Sequence, residues 1–110
     1  MHVLFVCTEG LRRSPTAVDL FRKSKLYETK FCGTNPLSPS PITQEMLDWA
    51  DIVFVMSEGE EGQRSFIERH FNTYRKLIYD LDIPDVFSRG DSELIATLRQ
   101  RVAQHLPVDV

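Results

Sequence analysis

The chain is poor in the residues that mark several large functional classes. It has only two cysteines, Cys7 and Cys32, far apart and without metal-ligand spacing. Its three histidines, His2, His70 and His105, are scattered. No metal site and no cofactor are therefore expected. No apolar run is long enough to span a bilayer, so no membrane partner is expected. Positive charge is not in excess: 13 Lys and Arg face 16 Asp and Glu, for a net charge of −3. That balance argues against a nucleic-acid partner, though not against a local basic site at Arg12 and Arg13. There is no internal repeat and no low-complexity tract. The first apolar β run begins at residue 2, so no signal peptide is expected. With the sparse cysteine usage, this gives the expectation of a reducing, cytoplasmic setting. At 110 residues, 42% of them hydrophobic, the chain can build one ordinary core. A single domain spanning residues 1–110 is expected.

What is present reads as alternating strands and helices. Apolar segments at about residues 2–6, 28–32, 52–56 and 76–79 read as strands. Ser14-Pro15 predicts a helix start with proline at the first helical position, followed by an apolar face of Ala17, Leu20 and Phe21. Thr43 caps a predicted short helix that buries Met46, Leu47 and Ala50. Ser57-x-x-Glu60 predicts a capping box opening a helix that carries Phe66, Ile67 and Phe71. Asp91 caps the last predicted helix, with the stripe Leu94, Ile95, Leu98, Val102 and Leu106. This alternation implies an α/β fold: three layers around a four-stranded parallel sheet, in the order 2-1-3-4. Ligands in such sheets bind beyond the carboxyl ends of the strands, at a switch point. The loop after strand 1 lies at that place. The Pro- and Ser-rich run from Gly33 to Pro41 reads as a connection, not a domain boundary.

That first loop carries the strongest chemical signal. Val3-Leu4-Phe5-Val6 leads into Cys7-Thr8-Glu9-Gly10-Leu11-Arg12-Arg13-Ser14-Pro15. A cysteine thus ends a buried strand, and Arg13 follows at the mouth of a helix. A loop of this length can wrap one tetrahedral oxyanion, with the N–H groups of residues 8–14 and the helix N-terminus aimed at it. The same positive field favours the ionised form of a thiol beneath it.

Cys-x5-Arg-Ser-Pro right after the first strand resembles the low-molecular-weight protein tyrosine phosphatase family. The likeness continues in order along the chain. Residues Ala50 to Met56 resemble that family's third strand, and Asp85-Val86-Phe87 sits where the family has Asp-Pro-Tyr. The segment Leu81 to Asp85 looks more like a shorter bacterial branch. The resemblance implies a phosphotyrosine phosphatase I-like fold and a cysteine-dependent phosphatase of phosphate monoesters, above all phosphotyrosine. In that reading Cys7 is the nucleophile and forms a phosphocysteine. Arg13 chelates two phosphoryl oxygens. Asp85 is general acid and then base. Thr8, Glu9, Gly10, Leu11, Arg12, Arg13 and Ser14 form the phosphate loop. Ser14 also supports the sulfur, and Phe87 stacks on the substrate's ring. The expected partners are a phosphorylated protein or a small aryl phosphate, and free phosphate or sulfate in the loop.

Other assignments stay open on the residues alone. Asp82 rivals Asp85 as the acid, and Phe87 can equally be a core residue over the last helix. Cys32, Tyr74 and Tyr79 read as structural or exposed. Where the family has glycine, asparagine and a second cysteine in the loop, this chain has Glu9, Gly10 and Arg12. Glycine suits the left-handed backbone that asparagine adopts there. The family's supporting serine on strand 2 is replaced by Phe31. Glu9 opposes anion binding: two unit charges about 6 Å apart at an effective dielectric of about 20 repel by about 2.8 kcal/mol. Pairing of Glu9 with Arg12 is the expected offset. Glu9 therefore motivates a second reading, a phosphate-loop binding protein with little turnover. A phosphocysteine carrier and an arsenate reductase are weaker alternatives; the latter needs further cysteines within reach.

Overall fold

The computed structural model describes all 110 residues and has one four-stranded parallel sheet in the order β2-β1-β3-β4. The elements run β1 His2–Cys7, α1 Arg13–Phe21, β2 Glu28–Gly33, α2 Gln44–Trp49, β3 Ile52–Val55, α3 Glu58–Glu61, α4 Gln63–His70, β4 Leu77–Asp80 and α5 Ser92–Ala103. The order is the one expected from the sequence. β1 and β3 are central and buried along nearly their whole length, as an apolar run covered on both faces must be. β1 pairs Phe5 with Phe31 of β2 and with Phe54 of β3; Cys7 stands level with Gly33, and Val6 with Val55.

Alternation along β1 divides the core. Val3, Phe5 and Cys7 face the layer built by Ala17 and Phe21 of α1 and by Leu94, Leu98 and Val102 of α5. Leu4 and Val6 face the other layer, with Leu47 of α2 and Ile67 of α4. Phe5 stacks between Phe21 and Phe54, at centroid distances of 5.8 and 5.7 Å. Burying a ring of that size is worth about 1.5–3 kcal/mol. Cys7 is thus the last core residue of β1, placed by strand parity under α1.

Capping follows the sequence closely. Thr43 Oγ1 accepts the Met46 N–H at 3.1 Å, and Asp91 Oδ1 accepts the Glu93 N–H at 2.8 Å. Two details differ. α1 begins at Arg13, so Pro15 is its third residue, a position whose N–H has no intrahelical acceptor in any case. The helix expected from Ser57 onward is broken in two. Ser57 Oγ accepts the Glu60 N–H, but the Ser57 N–H goes to Gln63 Oε1 instead of returning to Glu60. The chain turns between α3 and α4 at Gly62, with φ of 63°. That turn brings Gln63 back under β3 and leaves Glu61 pointing along the sheet's carboxyl edge.

Candidate active site

The loop after β1 is held by its neighbours as tightly as by itself. Gly10 has φ of 68°, the left-handed backbone its sequence position suggested. Its N–H donates to Cys7 Sγ at 3.2 Å. The end of β2 lies directly against the loop. A Cβ at Gly33 would stand 2.6 Å from the Thr8 carbonyl oxygen and 2.7 Å from the Glu9 carbonyl carbon. The following residues bond to the loop: Thr34 N–H to Cys7 O at 3.0 Å and Asn35 N–H to Thr8 O at 2.9 Å. Ser38 Oγ donates to Glu9 O at 2.5 Å. The support that the family draws from β2 therefore comes here from the Pro- and Ser-rich connection.

Within the loop, the N–H groups of Thr8, Glu9, Leu11, Arg12, Arg13 and Ser14 find no acceptor in the protein. The last two belong to the first turn of α1, and unpaired N–H donors at a strand-to-helix turn are the groups an oxyanion needs. Cys7 Sγ sits below them. It lies 2.9 Å from Ser14 Oγ, which is also 3.3 Å from the Cys32 carbonyl oxygen. Serine has one proton to give. It can go to a Cys7 thiolate, or to Cys32 O while a Cys7 thiol donates to the serine. Cys32 itself is wholly buried; burial, then the charge of Cys7, raises its thiol far above the ordinary range. The two cysteines are free, and only Cys7 has polar groups on its sulfur.

Arg13, which ends the loop and opens α1, is 1% exposed. Its guanidinium forms a two-pronged ion pair with Glu61, Nη1 to Oε2 at 2.6 Å and Nη2 to Oε1 at 2.7 Å. Nη1 also donates to Ile83 O at 2.8 Å. Burial works against the arginine's charge, but the hydrogen bonds and charge of Glu61, then Asp85 and Cys7, raise its pKa overall. Glu61 shifts the opposite way. Burial opposes its ionisation, yet hydrogen bonds from Arg13 and Thr8 hold its carboxyl below the ordinary glutamate value.

Asp85 stands at the rim, a third exposed, with Oδ1 3.6 Å from both Arg13 Nε and Arg12 Nε. Its rival Asp82 forms no ion pair with Arg12 or Arg13. Asp82 has φ of 53°, and its carbonyl accepts from Arg101 Nη1 at 2.6 Å. Phe87 is partly buried against the α1/α5 layer, as its core alternative required. Tyr79 joins the same layer, while Tyr74 is exposed. Glu9 corrects the sequence reading. It does not pair with Arg12; both its carboxylate oxygens accept from Asn35 Nδ2, at 3.1 and 3.2 Å, while Arg12 pairs with Asp85.

Sequence reasoning brought Cys7, Arg13, Ser14 and Asp85 to one place and missed Glu61, Gln63, Asn35 and Ser38. A signal for Glu61 was available in retrospect. The acidic run Glu58-Gly59-Glu60-Glu61-Gly62 follows β3 at the edge where ligands bind, and its two glycines disfavour one continuous helix.

No family model and no curated protein matches the chain. Solved structures do. A low molecular weight protein tyrosine phosphatase from T. tengcongensis superposes with a TM-score of 0.71 at 23% identity, over 96% of this chain and 99% of that one. The YwlE arginine phosphatase from Geobacillus stearothermophilus gives 0.61 at 20% identity, over 94% and 90%. The tyrosine phosphatase Wzb from Escherichia coli K30, in complex with phosphate, gives 0.67 at 16%, over 94% of each chain. No helix of this chain is long and apolar enough to cross a membrane.

Proposed function

From a chain with the fold of the low-molecular-weight protein tyrosine phosphatases, we propose a cysteine-dependent phosphatase that hydrolyses phosphate monoesters through a phosphocysteine. The observation that carries this reading is that Cys7 opens a loop of unpartnered N–H groups, which ends in a buried arginine paired with a partly exposed aspartate. The Cys7 thiolate attacks phosphorus while the bond to the leaving oxygen breaks. Asp85 gives its proton to that oxygen. Phosphorus is then joined to sulfur, and Ser14 Oγ is placed to hydrogen-bond the sulfur as it later departs. In the second half, Asp85 takes a proton from water, the hydroxide attacks phosphorus, and the phosphorus–sulfur bond breaks to give phosphate and free thiolate. Charge on the phosphoryl oxygens persists through both steps. A preorganised ring of N–H donors and a planar arginine fork therefore stabilise both transition states.

Phosphotyrosine is the substrate class we favour. A partly exposed carboxyl at Asp85, beside Arg13 and two residues before an aromatic side chain, is what a phenolic leaving group needs. Arginine phosphatases share the fold, so a phosphorylated guanidinium is the second class to assay. A binding protein with slow turnover is the competing reading; two carboxylates, Glu9 and Glu61, stand beside the loop and favour it. An arsenate reductase is disfavoured because Cys32, the only other cysteine, is buried behind the loop. The test is hydrolysis of p-nitrophenyl phosphate by the whole chain and by Cys7→Ser. Turnover by the first and none by the second supports the proposal. Equal rates in both would remove Cys7 from the chemistry.

A further inference from the structure

A guanidinium has five N–H donors in one plane. In Arg13 three are committed: both of Nη1, to Glu61 Oε2 and Ile83 O, and one of Nη2, to Glu61 Oε1. Nε is buried and has no hydrogen-bond partner; Asp85 Oδ1, at 3.6 Å, is beyond hydrogen-bond range. The two uncommitted donors are Nε–H and the second Nη2–H. They lie side by side on one edge of the plane and form the fork that chelates an oxyanion. Leaving a buried N–H without a partner is unfavourable, so this edge is suited to a group the protein itself does not supply.

We propose that Glu61 is a positioning residue: by holding the far end of the Arg13 guanidinium it presents the Nε/Nη2 edge to the phosphoryl group. This rests on the phosphate-loop reading above and deepens it. Glu61 is itself fixed. Its Oε1 also accepts from Thr8 Oγ1 at 2.6 Å, and Thr8 Oγ1 accepts from Gln63 Nε2 at 3.1 Å. Gln63 is wholly buried, and its Oε1 accepts the N–H groups of Met56 and Ser57 at 2.8 and 2.9 Å. The guanidinium is thus tied through three side chains to the carboxyl end of β3. The rival role is a plug, a carboxylate that sits in the clamp and competes with phosphate. A plug would be expected to take the Nε/Nη2 edge; Glu61 takes the Nη1/Nη2 edge. The charge has a consequence in either role. Glu61 neutralises much of Arg13, so binding depends on directed hydrogen bonds more than on net positive charge.

The test uses Glu61→Gln and Glu61→Ala in the whole chain. Glutamine keeps the size but sets an amide N–H against an arginine N–H; alanine removes the group. A positioning role predicts at least a tenfold loss in kcat/KM for p-nitrophenyl phosphate in both, carried mainly by kcat, and partial rescue of Glu61→Ala by acetate. A plug predicts the reverse: Glu61→Ala matches or exceeds the wild type, and acetate inhibits it. Phosphate titration in the Cys7→Ser background separates this from the catalytic reading. If the wild type does not turn over but phosphate binding weakens on adding Glu61→Gln, the phosphatase proposal falls and Glu61's role stands. If the wild type turns over and both Glu61 variants match it, only Glu61's role falls. If neither Cys7→Ser nor its Glu61→Gln derivative binds phosphate, both fall.

Discussion

Replacing Gly33 with alanine is the sharpest structural perturbation of the phosphate loop that leaves its chemistry untouched. The added methyl would meet the Thr8 carbonyl oxygen at 2.6 Å, the Glu9 carbonyl carbon at 2.7 Å and Ser38 Oγ at 2.8 Å. Two of these are backbone atoms, so no side-chain rotation relieves the clash. The loop must move away from β2. That movement strains the Thr34 and Asn35 hydrogen bonds to Cys7 O and Thr8 O. Overpacking a closed interior by one methyl costs about 1–3 kcal/mol. At about 4 °C per kcal/mol for a domain near this size, thermal unfolding shifts down by about 4–12 °C. Vanadate affinity falls with it, because the N–H groups no longer converge. Gly59→Ala is the matched control. Its Cβ would meet nothing within 4 Å, and alanine in that short helix is neutral or stabilising by up to about 1 kcal/mol. The assay pairs differential scanning calorimetry with vanadate inhibition. Wild-type melting and wild-type vanadate affinity in Gly33→Ala would refute the argument that the β2 end shapes the loop.

The remaining expectations concern charge and reactivity. Iodoacetamide labels Cys7 ahead of Cys32, and vanadate protects it, since Cys7 faces the loop donors while burial pushes the Cys32 thiol up; preferential labelling of Cys32 would contradict this. Glu9→Gln tightens vanadate binding by no more than about threefold, with the gain vanishing at high salt, because Asn35 holds the carboxylate and solvent screens it. A tenfold gain would place that charge against the anion. The Glu61–Arg13 pair makes stability acid-sensitive. Glu61's folded pKa is depressed, so its contribution is fully present above the ordinary glutamate value of 4.5 and is lost as pH falls through the lower folded value. Urea midpoints of wild type and Glu61→Gln should differ at pH 7 and converge in acid; a constant gap would oppose the assignment.

Legibility in the sequence followed the range of the interactions. Strands, caps and sheet order are set by local periodicity and by neighbouring residues, so Thr43 and Asp91 were readable as caps and β1 as a central strand. Cys7 and Arg13 were readable because both lie on one loop. Asp85 was singled out through a resemblance, and of the two candidate aspartates it is the one that pairs with Arg12 and Arg13. Glu61 was missed because it meets Arg13 across 48 residues. Gly59 and Gly62 argue against one continuous helix, but Ser57 reads as an ordinary cap and hides the break at Gly62. Asn35 and Ser38 were hidden in a connection whose prolines and serines read only as turn chemistry. The partner of Glu9 was therefore assigned to the nearest cation in sequence, Arg12, when the fold supplied a neutral amide from another loop.

The central claim is that Cys7 carries phosphate as a covalent intermediate. Its most direct test is acid quenching of the wild-type chain during turnover of an aryl phosphate, followed by peptide mapping by mass spectrometry. Asp85→Asn runs in parallel to slow the hydrolytic half-reaction. One phosphoryl group is expected on the Cys7 peptide, more of it in Asp85→Asn, and none in Cys7→Ser. Steady turnover with the Cys7 peptide unmodified in every sample, or phosphate recovered on another residue, would contradict it.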